Sequence, residues 1–358
     1  MAADLATLCV KREITIRHAI TQMNANRNGI VLIVDQERTL AGTITDGDVR
    51  RAILAEISLD EPVELLLERK TGSRYSNPIT VPAGQTREHM LRTLQEHDIL
   101  HLPVVDDANR VVDLVTLKDL LPEEVQTMQA VIMAGGRGTR LQPLTDDIPK
   151  PMLPVGDRPI MELMIDQLKE AGITNVNVTV HHKIEKITDH FGDGRDFGVN
   201  ISYLTEERPL GTAGALGLMG NPQETMLVVN GDILTQVDFR SMLTYHREHN
   251  ADLTVAVFQH DTQIAYGVIE TEDAWVKGIK EKPVLRSLIN AGIYLLEPGV
   301  FDFIPKDSPF DMTELIQTLL DNKLGVAAFP IHEYWLDIGQ PDDYREANEH
   351  LAGRGQQR

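Results

Sequence analysis

The stretch that most constrains this chain is residues 130–159, AVIMAGGRGTRLQPLTDDIPKPMLPVGDRP. Its first four residues, Ala130, Val131, Ile132 and Met133, form an apolar run of the kind buried in a parallel sheet. The run breaks straight into Gly135, Gly136, Arg137, Gly138, Thr139 and Arg140. Glycines at a strand end let backbone N–H groups approach phosphate oxygens that a side chain would hold off. Arg140 and Lys150 then supply positive charge. The dinucleotide fingerprint fails, because Leu141 stands where its third glycine belongs, and the Walker loop fails for want of Gly-Lys-Ser/Thr. That weighs against a nicotinamide-dependent oxidoreductase. Taken alone, the glycines are equally a structural turn. Pro149 and Pro151 change the balance, since they fix the backbone on both sides of Lys150, which a solvated surface lysine does not need.

A length of 358 residues points to two domains. No apolar run approaches the roughly 18 residues that cross a bilayer. The start, with Asp4 and no basic segment, does not read as a secretory signal, so a cytoplasmic location is expected. Against 34 Lys and Arg stand 54 Asp and Glu, a formal charge of −20, which argues against nucleic acid or an anionic membrane as partner. A polyphosphate site must then be a local basic island, for which Arg137, Arg140, Lys150 and Lys282 are available. One cysteine, Cys9, excludes an internal disulfide and a cysteine zinc cluster. His181 and His182 are adjacent on an extended chain, point opposite ways and cannot easily chelate one ion.

The first third is duplicated. Residues 14–17, a helical pattern through Ala19, Ile20 and Met23, an apolar run at 30–34 and a strand-to-helix turn at 42–49 return in the same order. Asp35 and Asp106, Thr45 and Thr116, and Asp48 and Asp119 share one offset of about 71 residues. Each half reads as a short strand, a helix, two strands and a helix. Each is too small to bury both faces of its sheet, so the halves should pack as a pseudo-symmetric pair. The threonine of each Thr-x-x-Asp can bond a phosphate oxygen and the aspartate can accept from ribose hydroxyls. Both residue types are equally good helix N-caps.

Beyond the glycine loop, Pro159 opens a helix whose apolar face carries Ile160, Leu163, Met164, Leu168 and Ala171 and which Gly172 stops. A strand at 174–180 follows, so strand, helix and strand form a parallel α/β unit. Leu210, Gly211 and Thr212 open a second glycine-rich turn, with Glu206 just upstream. Asp232 ends the apolar strand 226–230, the position where open α/β sheets put ligands. Asp337 lies in Tyr-Trp-Leu-Asp-Ile-Gly. Two carboxylates beside a polyphosphate loop suit Mg2+, which takes one or two of them and keeps its other positions for water and phosphate.

Gly-Gly-Arg-Gly-Thr-Arg-Leu-x-Pro-Leu-Thr, followed by Pro-Lys-Pro-Met-Leu-Pro-Val and Pro-Ile, resembles the sugar-phosphate nucleotidyltransferases of the mannose-1-phosphate guanylyltransferase type. The resemblance covers the later part of the chain, not its first third, which is similar to a tandem pair of CBS domains. It implies a Rossmann-like, mixed but mainly parallel α/β sheet (GT-A-like) preceded by an α+β CBS pair. The expected bounds are 1–124 for the pair (about 1–65 and 72–124), 125–128 for a linker within the polar stretch 121–127, 129–352 for the catalytic domain, and 353–358 for a polar tail. It implies a nucleoside triphosphate, GTP first, and a sugar 1-phosphate as substrates, with Mg2+ (Mn2+ substituting) on Asp232 and Asp337. Arg140, Lys150 and Asp232 would be catalytic. Gly135, Gly136, Gly138, Thr139, Glu206, Leu210, Gly211 and Thr212 would hold the nucleotide, and Gly267, Glu281, Lys282 and Asn290 the sugar phosphate. AMP or ATP would bind at Thr45, Asp48, Thr116 and Asp119, and the chain would form a homodimer or higher homo-oligomer. The alternative is an inactive, adenylate-sensing relative.

Overall fold

The computed structural model describes residues 5–73, 75–120, 128–136, 138–306 and 308–355. Arg137, most of the expected linker and the last three residues of the expected tail lie outside them. The chain divides into two compact units, Met1–Val125 and Gln126–Arg358.

The first unit holds two three-stranded sheets, each with one parallel and one antiparallel pairing. In the first module the strands are Cys9–Val10, Ile30–Val34 and Leu40–Thr45, with helices Ile16–Asn26, Asp46–Leu54 and Glu64–Lys70. The opening strand is thus Cys9–Val10 rather than residues 14–17. Thr15 turns the chain into the helix by accepting a hydrogen bond from the His18 N–H at 3.2 Å. Thr86 does the same for His89 in the second module, again about 71 residues on. The halves pack as a pseudo-symmetric pair. Leu40 N–H donates to Asn109 O and Val111 N–H donates to Arg38 O, both at 3.0 Å, a reciprocal exchange across a local two-fold axis. Leu32, Val34 and Leu40 share one core with Val105, Val111 and Leu114. Neither half could bury that surface alone.

The second unit is built on a seven-stranded sheet. Its spatial order is Asn200–Thr205, Asn175–Val180, Gln129–Met133, Met226–Asn230, Val284–Leu296, Leu253–Gln263 and Val326–Ile331. The first four run parallel, and Val284–Leu296 runs antiparallel to both its neighbours. The sheet is therefore mixed and parallel-rich, with a core on each face. Ala130 and Ile132 point to one and Val131 to the other, the alternation a strand imposes. Helix Ile160–Glu170 buries Met161, Met164, Ile165 and Leu168 on the first face, and helix Met312–Asp321 buries Met312, Leu315 and Leu319 on the second. Each fully buried side chain of this size contributes about 1.5–3 kcal/mol.

This order puts a switch point at the C-terminal ends of Gln129–Met133 and Met226–Asn230. The chain leaves the first toward one side of the sheet and the second toward the other, opening a crevice there. The C-terminal helix spans Pro341–Gly355, so the expected polar tail begins inside it. No helix among the described residues is long and apolar enough to cross a membrane.

Candidate active site

Gly231 sets the first distance in the site. A Cβ there would stand 2.8 Å from Met133 O, and the Gly231 N–H donates to that same oxygen at 2.9 Å. Only glycine lets the two strand ends close this far, and the closure brings Asp232 beside the glycine loop. The turn also starts the short strand Ile233–Thr235, which pairs antiparallel with Trp335–Asp337, Ile233 facing Asp337. Ile338 N–H donates to Asp232 O at 3.1 Å. Two aspartates more than a hundred positions apart are thereby held at one end of one ladder.

Lys150 joins them. Its Nζ lies 2.5 Å from Asp232 Oδ2 and 3.7 Å from Asp337 Oδ1. Only 9% of its side chain is exposed. Pro149 and Pro151 hold it in a single 3-10 turn, Lys150–Met152. Burial and the neighbouring Asp232 push the Asp337 carboxyl above the usual carboxylate range, against the pull of Lys150 and Arg140. A cleft of about 250 Å³ opens over this cluster, lined by Gly136, Gly138, Thr139, Arg140, Leu141, Lys150, Asp232 and Gly339.

The three glycines of the loop differ in what they permit. Gly138 adopts a left-handed φ of +63°, and a Cβ on it would meet Thr145 Cγ2 at 3.0 Å. A Cβ on Gly135 would lie 2.3 Å from Glu206 Oε1. At Gly136 a Cβ would meet nothing within 4 Å, so the space it leaves open faces the cleft and not the protein. Thr145, absent from the sequence-based site, is buried and donates its hydroxyl to Gly138 O at 2.8 Å. Its place in Pro-Leu-Thr after the loop was the available signal.

Glu206 ties the two glycine turns together. Its Oε2 accepts the Leu210 N–H at 2.9 Å while Oε1 rests against Gly135. Burial raises its carboxyl, opposed by the Leu210 N–H and His181. Gly211, at φ +78°, lies against Phe310 O and Asp311. Thr212 is engaged on the same side, its N–H and hydroxyl meeting Asp311 Oδ1 at 3.0 and 3.3 Å. Asp311 caps helix Met312–Asp321, so Thr212 works in that cap and Leu210 in the contact with Glu206. His181, for its part, bonds Glu206 O through Nδ1 at 2.9 Å.

The residues expected to hold a sugar phosphate form two groups. Gly267 and Glu281 meet at the base of the hairpin made by Val268–Glu272 and Trp275–Lys280, where a Cβ on Gly267 would be 3.0 Å from Glu281 Oε2. Lys282 follows with a left-handed φ of +47°. Asn290 has partners of its own. It accepts the Gly292 N–H at 2.9 Å and bonds Tyr294, whose phenol burial pushes up to about 12. Gly292 in turn packs on Asn230, where a Cβ would meet Asn230 Nδ2 at 2.5 Å. Trp335 fastens this corner to the Asp337 strand by donating Nε1–H to Ala291 O at 2.8 Å. None of Gly267, Glu281, Lys282 or Asn290 lines the 250 Å³ cleft itself.

In the first unit, Thr45 and Asp48 form a capping box, with Asp48 Oδ2 accepting the Thr45 N–H and hydroxyl at 2.8 and 2.9 Å. Lys70 reaches the same oxygen at 3.0 Å and Arg51 the other at 2.6 Å, leaving the Asp48 side chain 5% exposed. Burial alone would raise this carboxyl, but Lys70, the Thr45 N–H and Arg51 hold it below its ordinary value. Thr116 and Asp119 repeat the box at 2.8 and 2.7 Å, on an exposed surface.

Comparison with known proteins finds relatives of both units. Residues 129–354 match the model of the nucleotidyl transferase family, and residues 3–55 and 74–124 each match the CBS domain. A UTP–glucose-1-phosphate uridylyltransferase of Synechocystis is 36% identical over 241 residues, 62% of this chain and 62% of that protein. A mannose-1-phosphate guanylyltransferase of Mycobacterium tuberculosis is 34% identical over 226 residues, 61% of this chain and 62% of that protein. This chain thus spans less than two thirds of the length of these relatives. Among solved structures, HddC from Yersinia pseudotuberculosis superposes with a TM-score of 0.51 at 27% identity, over 63% of this chain and all of that one. The chain belongs to the nucleotidyl transferase family and carries a pair of CBS domains ahead of its nucleotidyl transferase domain.

Proposed function

We propose that this chain joins a nucleoside triphosphate to a sugar 1-phosphate, releasing pyrophosphate and forming a nucleotide sugar. The observation that carries this is the convergence of Lys150, Asp232 and Asp337 under a glycine loop whose Gly136 leaves open space. A sugar 1-phosphate oxygen attacks the α-phosphorus, a new phosphorus–oxygen bond forms, and the bond to the β-phosphate oxygen breaks, its electron pair leaving with pyrophosphate. The nucleophile needs no general base, because a phosphate monoester with a second pKa of about 6 is already mostly ionised. The protein's part is alignment and charge neutralisation. Arg140 and the loop N–H groups hold the departing phosphates, Lys150 offsets charge near the α-phosphate, and Lys282 guides the incoming one.

The donor set fits a magnesium ion. Asp232 and Asp337 already converge on one cation, the Lys150 ammonium, and a hard divalent ion takes one or two such carboxylates. When bound, the ion supplies further neutralisation of phosphate oxygens.

GTP with mannose 1-phosphate is the first pair to test. The resemblance of the Leu210 turn to the guanylyl branch supports it, as do the guanylyltransferase names of relatives from Mycobacterium tuberculosis and Schizosaccharomyces pombe, and HddC was crystallised with GMP-PN. The uridylyltransferase relative names the rival pair, UTP with glucose 1-phosphate. Pyrophosphate release measured across four nucleotides and a panel of mannose, glucose and glucosamine 1-phosphates tests the reading. Release that requires one nucleotide and one sugar phosphate supports it, and none from any pair, with Mg2+ and with AMP or ATP added, overturns it.

A further inference from the structure

We propose that Lys183 is a positioning residue that latches the phosphate loop from behind. The inference rests on reading residues 135–138 as the polyphosphate cradle. Lys183 starts helix Ile184–Phe191 with a left-handed φ of +54°, a conformation that side-chain-bearing residues avoid and that glycine or asparagine adopts readily. What lysine adds at this position is reach. Its Nζ donates to Thr145 O at 2.9 Å and to Asp146 O. Two successive carbonyls on one ammonium fix the orientation of the intervening peptide.

Thr145 itself carries the next link. The Thr145 hydroxyl donates to Gly138 O at 2.8 Å, and its methyl sits 3.0 Å from where a Cβ on Gly138 would be. Gly138 lines the cleft beside Thr139 and Arg140. The path from Lys183 Nζ to the cleft wall is thus one charged hydrogen bond, one buried threonine and one hydroxyl bond. Two positions earlier, His181 bonds Glu206 O, so the segment 181–183 braces both glycine turns, one from each of two side chains.

The test compares Lys183→Gly and Lys183→Arg in the full chain. Glycine adopts the left-handed backbone without strain, so a loss in Lys183→Gly does not come from backbone strain, and Lys183→Arg restores the cation alone. Amide hydrogen exchange in residues 138–148 should quicken about tenfold in Lys183→Gly, with helix Ile160–Glu170 unchanged. The KM for the nucleotide should rise about tenfold, with that for the sugar phosphate unchanged, and Lys183→Arg should restore both readouts. Unaltered exchange at 138–148, or a loss of protection spread over the whole unit, overturns the latch. Exchange reads the latch without turnover. If the wild-type chain releases no pyrophosphate from any pair while exchange responds as stated, the function reading falls and the latch stands.

Discussion

Gly135 and Glu206 occupy the same space: a Cβ on the glycine would lie 2.3 Å from the Glu206 Oε1, while the other carboxylate oxygen is tied to the Leu210 N–H at 2.9 Å. Gly136, the next residue, has no such neighbour. Two alanine substitutions one position apart should therefore behave differently. Gly135→Ala forces a buried carboxylate off its donor and should cost about 1–3 kcal/mol of stability. Gly136→Ala should leave stability within about 0.5 kcal/mol yet obstruct the cleft, raising the nucleotide KM. Thermal melting and steady-state kinetics on both variants check this. An active Gly136→Ala with an unchanged KM would remove the loop from nucleotide binding.

Lys150 is the second point of leverage. Removing its ammonium leaves two carboxylates facing each other with their cation gone and, on the proposed function, removes the charge meant for the α-phosphate. Lys150→Met should lower kcat by about 10²–10³, the scale of losing one preorganised electrostatic contact. Its KM for the sugar phosphate should move much less. Turnover at the wild-type level would take Lys150 out of the chemistry.

Trp335 offers a separable probe of the proposed sugar side. Its indole N–H holds Ala291 O at 2.8 Å, and its ring lies 5.1 Å from that of Phe258. Trp335→Phe keeps an aromatic ring and deletes the hydrogen bond, a change of about 0.5–1.5 kcal/mol. The freed segment carries Asn290. The sugar phosphate KM should rise while the nucleotide KM holds, and equal rises in both would contradict the division of the site.

What could be read from the sequence follows a physical pattern. Local rules exposed the glycine loop, Lys150 between its prolines and the duplication around Thr45 and Thr116, because each is a short run with its own backbone logic. The pairing of Asp232 with Asp337 needed two motifs to be set beside each other, and the sheet order that does so is a long-range property. Lys183 is invisible as a site residue, and Thr145 is marked only by its place in Pro-Leu-Thr, since their roles depend on which carbonyls fold onto them. Thr212 shows the converse. Its motif suggests nucleotide contact and gives no hint of the second engagement the fold adds, in the cap of helix Met312–Asp321.

Asp48 should make the acid stability of the first unit pH-dependent in a defined direction. Its folded pKa lies below its unfolded value of about 3.9, so its contribution is complete above that value and is lost as pH falls through the folded one. Asp48→Asn retains the shape and removes the titration. The difference in melting temperature between the wild type and Asp48→Asn should be constant from neutral pH to about 5 and shrink below about 4. A difference that stays flat to lower pH would show that the Lys70 and Arg51 pairs contribute nothing.

The two CBS halves should also differ as ligand sites. In the first, every Asp48 carboxylate oxygen is already engaged by Thr45, Arg51 or Lys70, and a ribose would have to displace a buried ion pair. In the second, Asp119 is exposed and Thr116 half-buried, and among the described residues their box draws only on Asp119 Oδ2, so that Oδ1 is available there to accept ribose hydroxyls. An adenine nucleotide should therefore bind one site per chain. Titration calorimetry of the full chain with AMP and ATP measures this. Asp119→Ala should abolish the heat, whereas Lys70→Met, which opens the first site, should add a second and weaker binding event. Two equivalent sites in the wild type would mean that the Lys70 pair yields to the nucleotide, and no heat with either ligand would leave both boxes as helix caps alone.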